Sequence, residues 1–403
     1  MSLPVPADFA APPDDAQRDR WAEADRAARP ARLARLRARW AEAGIDGYFG
    51  VRSEHTRYLT GLAFEDGEDR VAGASGKFLV GADEVLLLAD SRYAIQARRE
   101  APDTRIAEVY GNLEARWPEL LASIGARRVA VEAGFVPQAT WARLAAAAPD
   151  VELVPVEGWL EADRATKEPA ELERVAAACA VADRALAGLL PEIRPGMTEH
   201  DLALRLEWSM RTGGADALAF GVACLAGPEA ALPHGSPGER PVLDRAVLLF
   251  DFGAQVAGYR SDMTRTLFVG QPTARDLEVY ELVARAQAAA IEAIEAAAAD
   301  GTTLSGRAAD AIARSVITDG GHGAHFGHGT GHGIGLATHE APSLGQNAPE
   351  TPLPSPTVFS VEPGVYLDGE TGVRIEDLVA VDVAARRAER LTRFPRDVIV
   401  VGG

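Results

Sequence analysis

Cysteine is all but missing from this chain: Cys179 and Cys224 are the two it has, which excludes a disulfide framework and leaves them to pack as small apolar side chains in a reducing cytoplasm. Lysine is as scarce, with Lys77 and Lys167 alone, so arginine carries nearly all the positive charge, a matter of genome composition. The formal net charge of −18 removes nucleic acid and anionic membrane from the candidate partners, since phosphate contacts need clustered basic residues. No run of about 18 uninterrupted apolar residues exists to span a bilayer. The opening MSLPVPADFAAPPDD lacks the basic start and apolar core of a secretory signal.

What is present suffices for two domains, with 47% hydrophobic residues over 403 positions. Segment 1–30, rich in proline, alanine and charge, is expected to be a poorly ordered extension leading into a helix near Ala31–Ala43, its arginines on a solvated face. From Ile45 to Val156, apolar runs such as FLVGADEVLLLA and RRVAVEA alternate with helical patterns at Ser91–Glu100 and Gln138–Ala148, which predicts an α/β domain over 31–163. Pro169 then opens a long helix with the apolar stripe Leu172, Val175, Cys179, Leu186 and Leu189, ending at Pro191. A second helix, Glu199 to Arg211, leads into an acidic hairpin. The order recurs in helices Ala274–Ala299 and Leu304–Thr318, a histidine strand and a second acidic hairpin, so 164–403 reads as an α+β domain with an internal duplication.

In VLLFDFGAQVAGYRSDMTRTLFV, Asp251 and Asp262 lie nearly equidistant from the middle of the Gln255–Gly258 turn region, as facing residues of an antiparallel pair would. In VFSVEPGVYLDGETGVRIEDLVAV, the midpoint of Glu362 and Glu376 falls on Asp368-Gly369-Glu370, a strong turn signal. Facing residues have Cβ atoms roughly 5 Å apart, so both acids of a pair can reach one ion. A single such pair could be surface acid on a solvated sheet; two with the same layout, after the apolar runs VLLF and VFSV, point to a shared centre. Four clustered carboxylates repel and take up protons unless cations neutralise them, which is the charge logic of a two-metal site.

Between the hairpins lies HFGHGTGHGIGLATHEAP. A helix here would contain Gly329, Gly331, Gly333 and Gly335 at about 1 kcal/mol each against alanine, so roughly 4 kcal/mol opposes it, and a strand is predicted. On a strand His328 and His332 share a face, and a bend after Leu336 must bring His339 back to the same pocket. Glycines at alternate positions leave room for a backbone or a substrate to approach. His322 and His325 read as surface residues.

The segments ALPHGSPGER, LLFDFGAQVAGYRSDMTRT, GHGTGHGIGLATHEAP, SVEPGVY and VRIED resemble, in that order, the motifs of the pita-bread metallopeptidases, most closely the Xaa-Pro peptidases. IDGYFGVRSEHTRYLTGL, LLLADSRYAIQA and ADRATKEPAELE are similar to the creatinase-type N-terminal domain that precedes that catalytic domain. The resemblance implies an α/β N-terminal domain followed by a pita-bread catalytic domain with a pseudo-two-fold repeat. It implies two divalent ions per subunit (Mn²⁺, Co²⁺ or Zn²⁺), held by Asp251, Asp262, His332, Glu362 and Glu376. Asp262 and Glu376 would bridge the ions, and a hydroxide shared between them would be the nucleophile.

Glu362 is then expected to relay the proton as general base and acid, while His234, His328 and His339 line the pocket, polarise the carbonyl and serve the leaving nitrogen. Tyr366 and Phe326 are expected as walls for a proline ring, and the loop APSLGQNAPETPLPSPT as either a rim or a stiff connection. Arg374, two residues before Glu376 on the same strand face, and Thr264, likewise related to Asp262, are expected behind the ligands.

The activity implied is hydrolysis of Xaa-Pro bonds by a cytoplasmic homodimer, with the dipeptidase favoured because longer loops for extended peptides are not evident. An Xaa-Pro aminopeptidase is the alternative. A creatinase-like amide hydrolase and a non-catalytic binding module are less consistent with five intact ligand positions, and a methionine aminopeptidase with the large N-terminal domain. No arginine occurs from Glu340 to Val361, where similar prolidases often place one for the substrate carboxylate. Arg52, Arg57 or Arg70 would have to replace it from either subunit.

Overall fold

A computed structural model describes residues 9–64 and 74–402. The chain forms two compact units, Asp19–Asp163 and Arg164–Gly403, the latter joined by the chain up to Arg18. The first helix differs from expectation: it runs from Asp15 to Glu42, with Pro30 inside it, rather than starting near residue 31. Proline usually ends a helix, but Trp21, Leu36 and Trp40 are buried along this one, on both sides of Pro30. Nor are its arginines all solvated. Arg32 is 1% exposed, donates to the Tyr58 carbonyl at 2.8 Å and to Asp25 at 3.0 Å, and lies over the Tyr58 ring.

The N-terminal unit is built on a six-stranded mixed sheet in the order 105–108, 85–89, 78–80, 47–50, 128–132, 152–156. Strand Val85–Ala89 is buried at every position, as a strand covered on both faces must be. The helix Leu113–Ile124 puts Trp117 edge-on to Phe49, ring centres 4.8 Å apart, in the core beneath.

In the second unit the expected duplication is plain. Helices Pro169–Leu189 and Glu199–Thr212 precede the antiparallel pair Ala246–Phe252 and Met263–Val269, and helices Ala274–Ala299 and Gly306–Asp319 precede the pair Thr357–Val361 and Asp377–Asp382. Capping boxes at Glu168, Thr198 and Thr273 fix the starts of three of these helices. The two halves are stitched at their strands: the Glu376 amide donates to the Thr264 carbonyl at 3.1 Å, and the Thr266 hydroxyl to the Arg374 carbonyl at 2.9 Å. Beside this seam Arg265 and Asp377, 1% and 0% exposed, pair at 2.7 Å. Gln287 and Thr392 supply further donors to that carboxylate, so the buried charge is fully compensated.

Register decides where the acids fall. In the second hairpin, Val361 pairs with Asp377 and Gly364 with Arg374, so Glu362 stands opposite Glu376 as the turn signal predicts. In the first, Asp251 pairs with Thr264 rather than with Asp262. The turn centres one residue later than the sequence suggested, on Ala257 and Gly258, both at positive φ (47° and 85°), a two-residue hairpin of the primed type. Asp262 is therefore a diagonal neighbour of Asp251 on the same face.

The histidine segment is not helical, but between His328 and His339 only Gly331–Gly333 is regular strand, and Glu340–Leu344 follows as the next. Its glycines admit backbone: a Cβ at Gly331 would lie 1.9 Å from the Ser360 carbonyl oxygen, and one at Gly333 2.2 Å from that of Ala341. The chain bends from Gly335 to His339. His325 is exposed, whereas His322 is buried, against expectation.

Candidate metal centre

The two hairpins and the histidine segment converge on a cavity of about 380 Å³. Asp251, Asp262, His332, Glu362 and Glu376 line it, as do His234, His328, His339 and Arg374. Single ligand atoms of Asp262, His332 and Glu376 lie within 4.8 Å of one another. The His332 Nε2 is 3.2 Å from the Glu362 Oε1 and 3.7 Å from the Asp262 Oδ2. Its Nδ1 donates to the Gly333 carbonyl at 3.1 Å, which orients the ring with Nε2 toward the acids.

Lining this cavity, three buried carboxylate oxygens have no hydrogen-bond partner: Asp251 Oδ1, Asp262 Oδ1 and Glu376 Oε1. For two of these residues the protein grips the other oxygen. Arg374 Nη2 donates to Asp251 Oδ2 at 2.6 Å, and the Thr264 hydroxyl to Glu376 Oε2 at 2.7 Å. Burial and neighbouring negative charge push the carboxyls of Asp262 and Glu376 well above their ordinary range, and Asp251 is raised as well. Glu362 goes the other way. Burial opposes its ionisation, but the hydrogen bond and charge of His332, with His328 and Arg374, bring it down to about 2. For His332, burial is outweighed by Glu362 and Glu376, and its value rises to about 9. Orphaned carboxyl oxygens beside one imidazole nitrogen form a donor set that fits a divalent cation such as Mn²⁺, Co²⁺ or Zn²⁺.

Arg374 ties this centre to the second rank of residues. Its Nε donates to the Thr264 hydroxyl at 2.9 Å and its Nη1 to the Tyr366 hydroxyl at 2.8 Å. His328 continues the line: Nδ1 must donate to the Gly329 carbonyl at 2.8 Å, so the neutral ring accepts from the Tyr366 hydroxyl at Nε2, also at 2.8 Å. Burial lowers the pKa of His328 and raises that of Tyr366 to about 12, consistent with this neutral chain. His339 stacks near His332, ring centres 4.2 Å apart, and is likewise lowered by burial and by the His332 charge.

Tyr366 and Phe326, expected as pocket walls, stand instead behind His328. Tyr366 bonds the ring, and Phe326 meets it edge-on at 5.0 Å while only 3% exposed. The aromatic side chain that lines the cavity is Phe220, together with Pro233 and Thr338. Phe220 follows Leu218-Ala219 in a stretch with neither motif nor periodicity, so nothing in the sequence singled it out. Of the N-terminal arginines considered for a substrate carboxylate, Arg52 is paired with Glu161 at 2.8 Å and stacked on Phe135. Arg57 lies on the helix Ser53–Thr60, and Arg70 is outside the described residues. No helix among the described residues is long and apolar enough to cross a membrane.

A duplicated α+β unit whose two hairpins and central histidine gather orphaned acids in one cavity defines a metal-dependent hydrolase. Residues 173–382 match metallopeptidase family M24, and residues 32–166 match the creatinase/prolidase N-terminal domain. The chain belongs to metallopeptidase family M24, and its fold is the pita-bread type expected from the sequence. It is 33% identical over 92% of its length to the whole of an uncharacterized peptidase of Bacillus subtilis (strain 168). Among solved structures it resembles an Xaa-Pro dipeptidase from Bacillus anthracis, at 33% identity and a TM-score of 0.84, covering 92% of this chain and 99% of that one. It also resembles an X-Pro aminopeptidase from Thermotoga maritima MSB8, at 32% identity and a TM-score of 0.77, covering 89% and 98%.

Proposed function

We propose that this metallopeptidase hydrolyses Xaa-Pro peptide bonds, with two divalent ions held by Asp251, Asp262, His332, Glu362 and Glu376. The observation that carries the reading is the set of unpartnered oxygens on Asp251, Asp262 and Glu376 beside the His332 Nε2. When bound, divalent cations would neutralise these acids, polarise the scissile carbonyl and acidify water. The remaining chemistry belongs to the chain. Glu362 takes a proton from the attacking water and returns it to the proline nitrogen. His234 and His339 border the same cavity and offer hydrogen bonds to the carbonyl oxygen as charge develops there. Arg374 and Thr264 hold Asp251 and Glu376 so that one oxygen of each stays committed to the protein and the other remains available.

Proline specificity is supported by the relatives and by the site's shape. An Xaa-Pro bond is a tertiary amide without an N–H, so a site need not offer the backbone acceptor that other peptides require. Phe220 and Pro233 present apolar surface for the ring, in a cavity whose volume suits a ligand of dipeptide size. Dipeptidase is the first reading and aminopeptidase the second. One observation favours the second: Arg374, the one arginine lining the cavity among the described residues, is already occupied by Asp251, Thr264 and Tyr366. The purified, Mn²⁺-loaded protein is expected to cleave Ala-Pro at least about tenfold faster than Ala-Ala, a difference of about 1.4 kcal/mol in transition-state binding. Equal rates on the two dipeptides would remove proline specificity, and faster cleavage of Ala-Pro-Ala than of Ala-Pro would select the aminopeptidase.

The same reading includes a homodimer and a cytoplasmic setting. Both cysteines are free and buried, which suits a reducing compartment. Sedimentation velocity is expected to show a dimer; a monomer would exclude that part.

A further inference from the structure

Asp310 and Arg314 lie one turn apart on the helix Gly306–Asp319, and neither lines the cavity. Asp310 is 1% exposed, and its carboxylate takes four hydrogen bonds. Two come from the Arg314 guanidinium at 2.8 and 2.9 Å. The other two come from Thr330, its amide at 3.0 Å and its hydroxyl at 2.9 Å. The guanidinium also grips the histidine segment, donating from Nη1 to the Phe326 carbonyl at 2.9 Å and from Nη2 to the His328 carbonyl at 2.6 Å. It covers the Phe326 ring at 4.2 Å, and that ring meets the His328 imidazole edge-on. The Thr330 carbonyl, in turn, accepts from the Glu362 amide at 2.8 Å.

A largely buried ion pair adds little net stability over an apolar substitute, because desolvation offsets the attraction. Here both members spend their hydrogen-bonding capacity on one stretch of chain. That stretch contains Gly327 and Gly329, the residue type with the most conformational freedom to lose on ordering. Without an external grip, a segment of this composition would sample several backbone conformations and carry the His328 ring with it.

We propose that Asp310 and Arg314 are positioning residues of this peptidase, a clamp that fixes the backbone of residues 326–330 and thereby the placement of His328. The role given to His328 rests on the function proposed above; the clamp itself rests on the hydrogen bonds just described. A reacting group displaced by about 1 Å can lose on the order of a hundredfold in rate. Arg314→Gln is therefore expected to lower kcat by about 10- to 100-fold with KM within about twofold, the pattern of an interaction that matters in the transition state.

The deciding measurement is a double-mutant cycle. In a His328→Ala background, Arg314→Gln is expected to change kcat by less than about twofold, because its effect is transmitted through the missing ring. In the metal-free protein, Arg314→Gln is expected to speed amide hydrogen exchange of segment 327–330 relative to the adjoining helix. Equal losses of kcat in both backgrounds, a loss confined to KM, or unchanged exchange would overturn the clamp. Should Arg314→Gln fail to fold, Arg314→Lys serves: it keeps a charge beside Asp310 but lacks the fork that spans two carbonyls, so full activity in that variant would equally overturn it. The cycle is read on whichever peptide the metal-loaded wild type cleaves fastest, while the wild-type rate on Ala-Pro tests the substrate separately.

Discussion

Replacing Asp262 or His332 with alanine is expected to lower peptide hydrolysis by about a thousandfold or more and to reduce bound divalent metal, measured by steady-state kinetics and elemental analysis on the same samples. Asp262, His332 and Glu376 are the group of ligand atoms that comes within 4.8 Å, so each removes a corner of the same constellation. Losing the carbonyl polarisation and water acidification of a bound cation forfeits several kcal/mol of transition-state stabilisation, and about 4 kcal/mol is already a factor of roughly a thousand. The fold should survive the first substitution. The Asp262 carboxyl is buried with an unpartnered oxygen, so its removal relieves the metal-free protein of an unsatisfied polar group. Retained hydrolysis with full metal content in either variant would refute the assignment of the centre.

The second large effect is on stability. Metal-free protein is expected to lose stability as pH rises from about 4.5 to about 9, and a divalent cation is expected to restore it. The carboxyls of Asp262, Glu376 and Asp251 are raised by burial and by one another or by Glu362. Between the unfolded values near 4 and these higher folded values, the native state binds more protons than the unfolded one, so stability falls as pH rises. Asp183, raised by burial to about 6, adds to the same slope. His332, raised to about 9, contributes stability that is fully present below about 6.5 and lost as pH rises through the folded value. Glu362, depressed to about 2, works in the opposite sense, but its stabilisation is lost only as pH falls below about 4.3.

The loss is expected to appear as a Tm that falls steadily across this range. A cation that binds only the folded state opposes this by mass action and flattens the profile. The measurement is thermal unfolding from pH 5 to 9, in chelator and then with Mn²⁺. A flat metal-free profile would show that the acids are not clustered in solution.

How much of this was readable beforehand differs from residue to residue. Glu362 and Glu376 could be placed opposite each other because Asp368-Gly369-Glu370 is a strong local turn signal, and Gly369 does adopt positive φ there. The first hairpin turns on Ala257-Gly258, a weaker signal than Asn-Gly, and a small error in its centre moved Asp262 from its true diagonal position to a facing one. The glycine spacing around His332 correctly foretold close approach, and the close neighbours prove to be the Ser360 and Ala341 carbonyls. The helix through Pro30 was missed because burial of Trp21, Leu36 and Trp40 overrode a local breaker.

The sequence by itself determined what depends on neighbours along the chain: the helix starts at Pro169, Glu199 and Ala274, the second hairpin's register, and which acids and histidines were candidates for the site, because capping, turn geometry and periodicity act over a few residues. Tertiary structure alone decided that Arg374 joins Asp251, Thr264 and Tyr366, that Phe220 rather than Phe326 walls the cavity, and that Asp310 reaches Thr330. Those contacts close loops of up to 123 residues, and no local preference encodes which side chains meet when the two halves of the unit pack together.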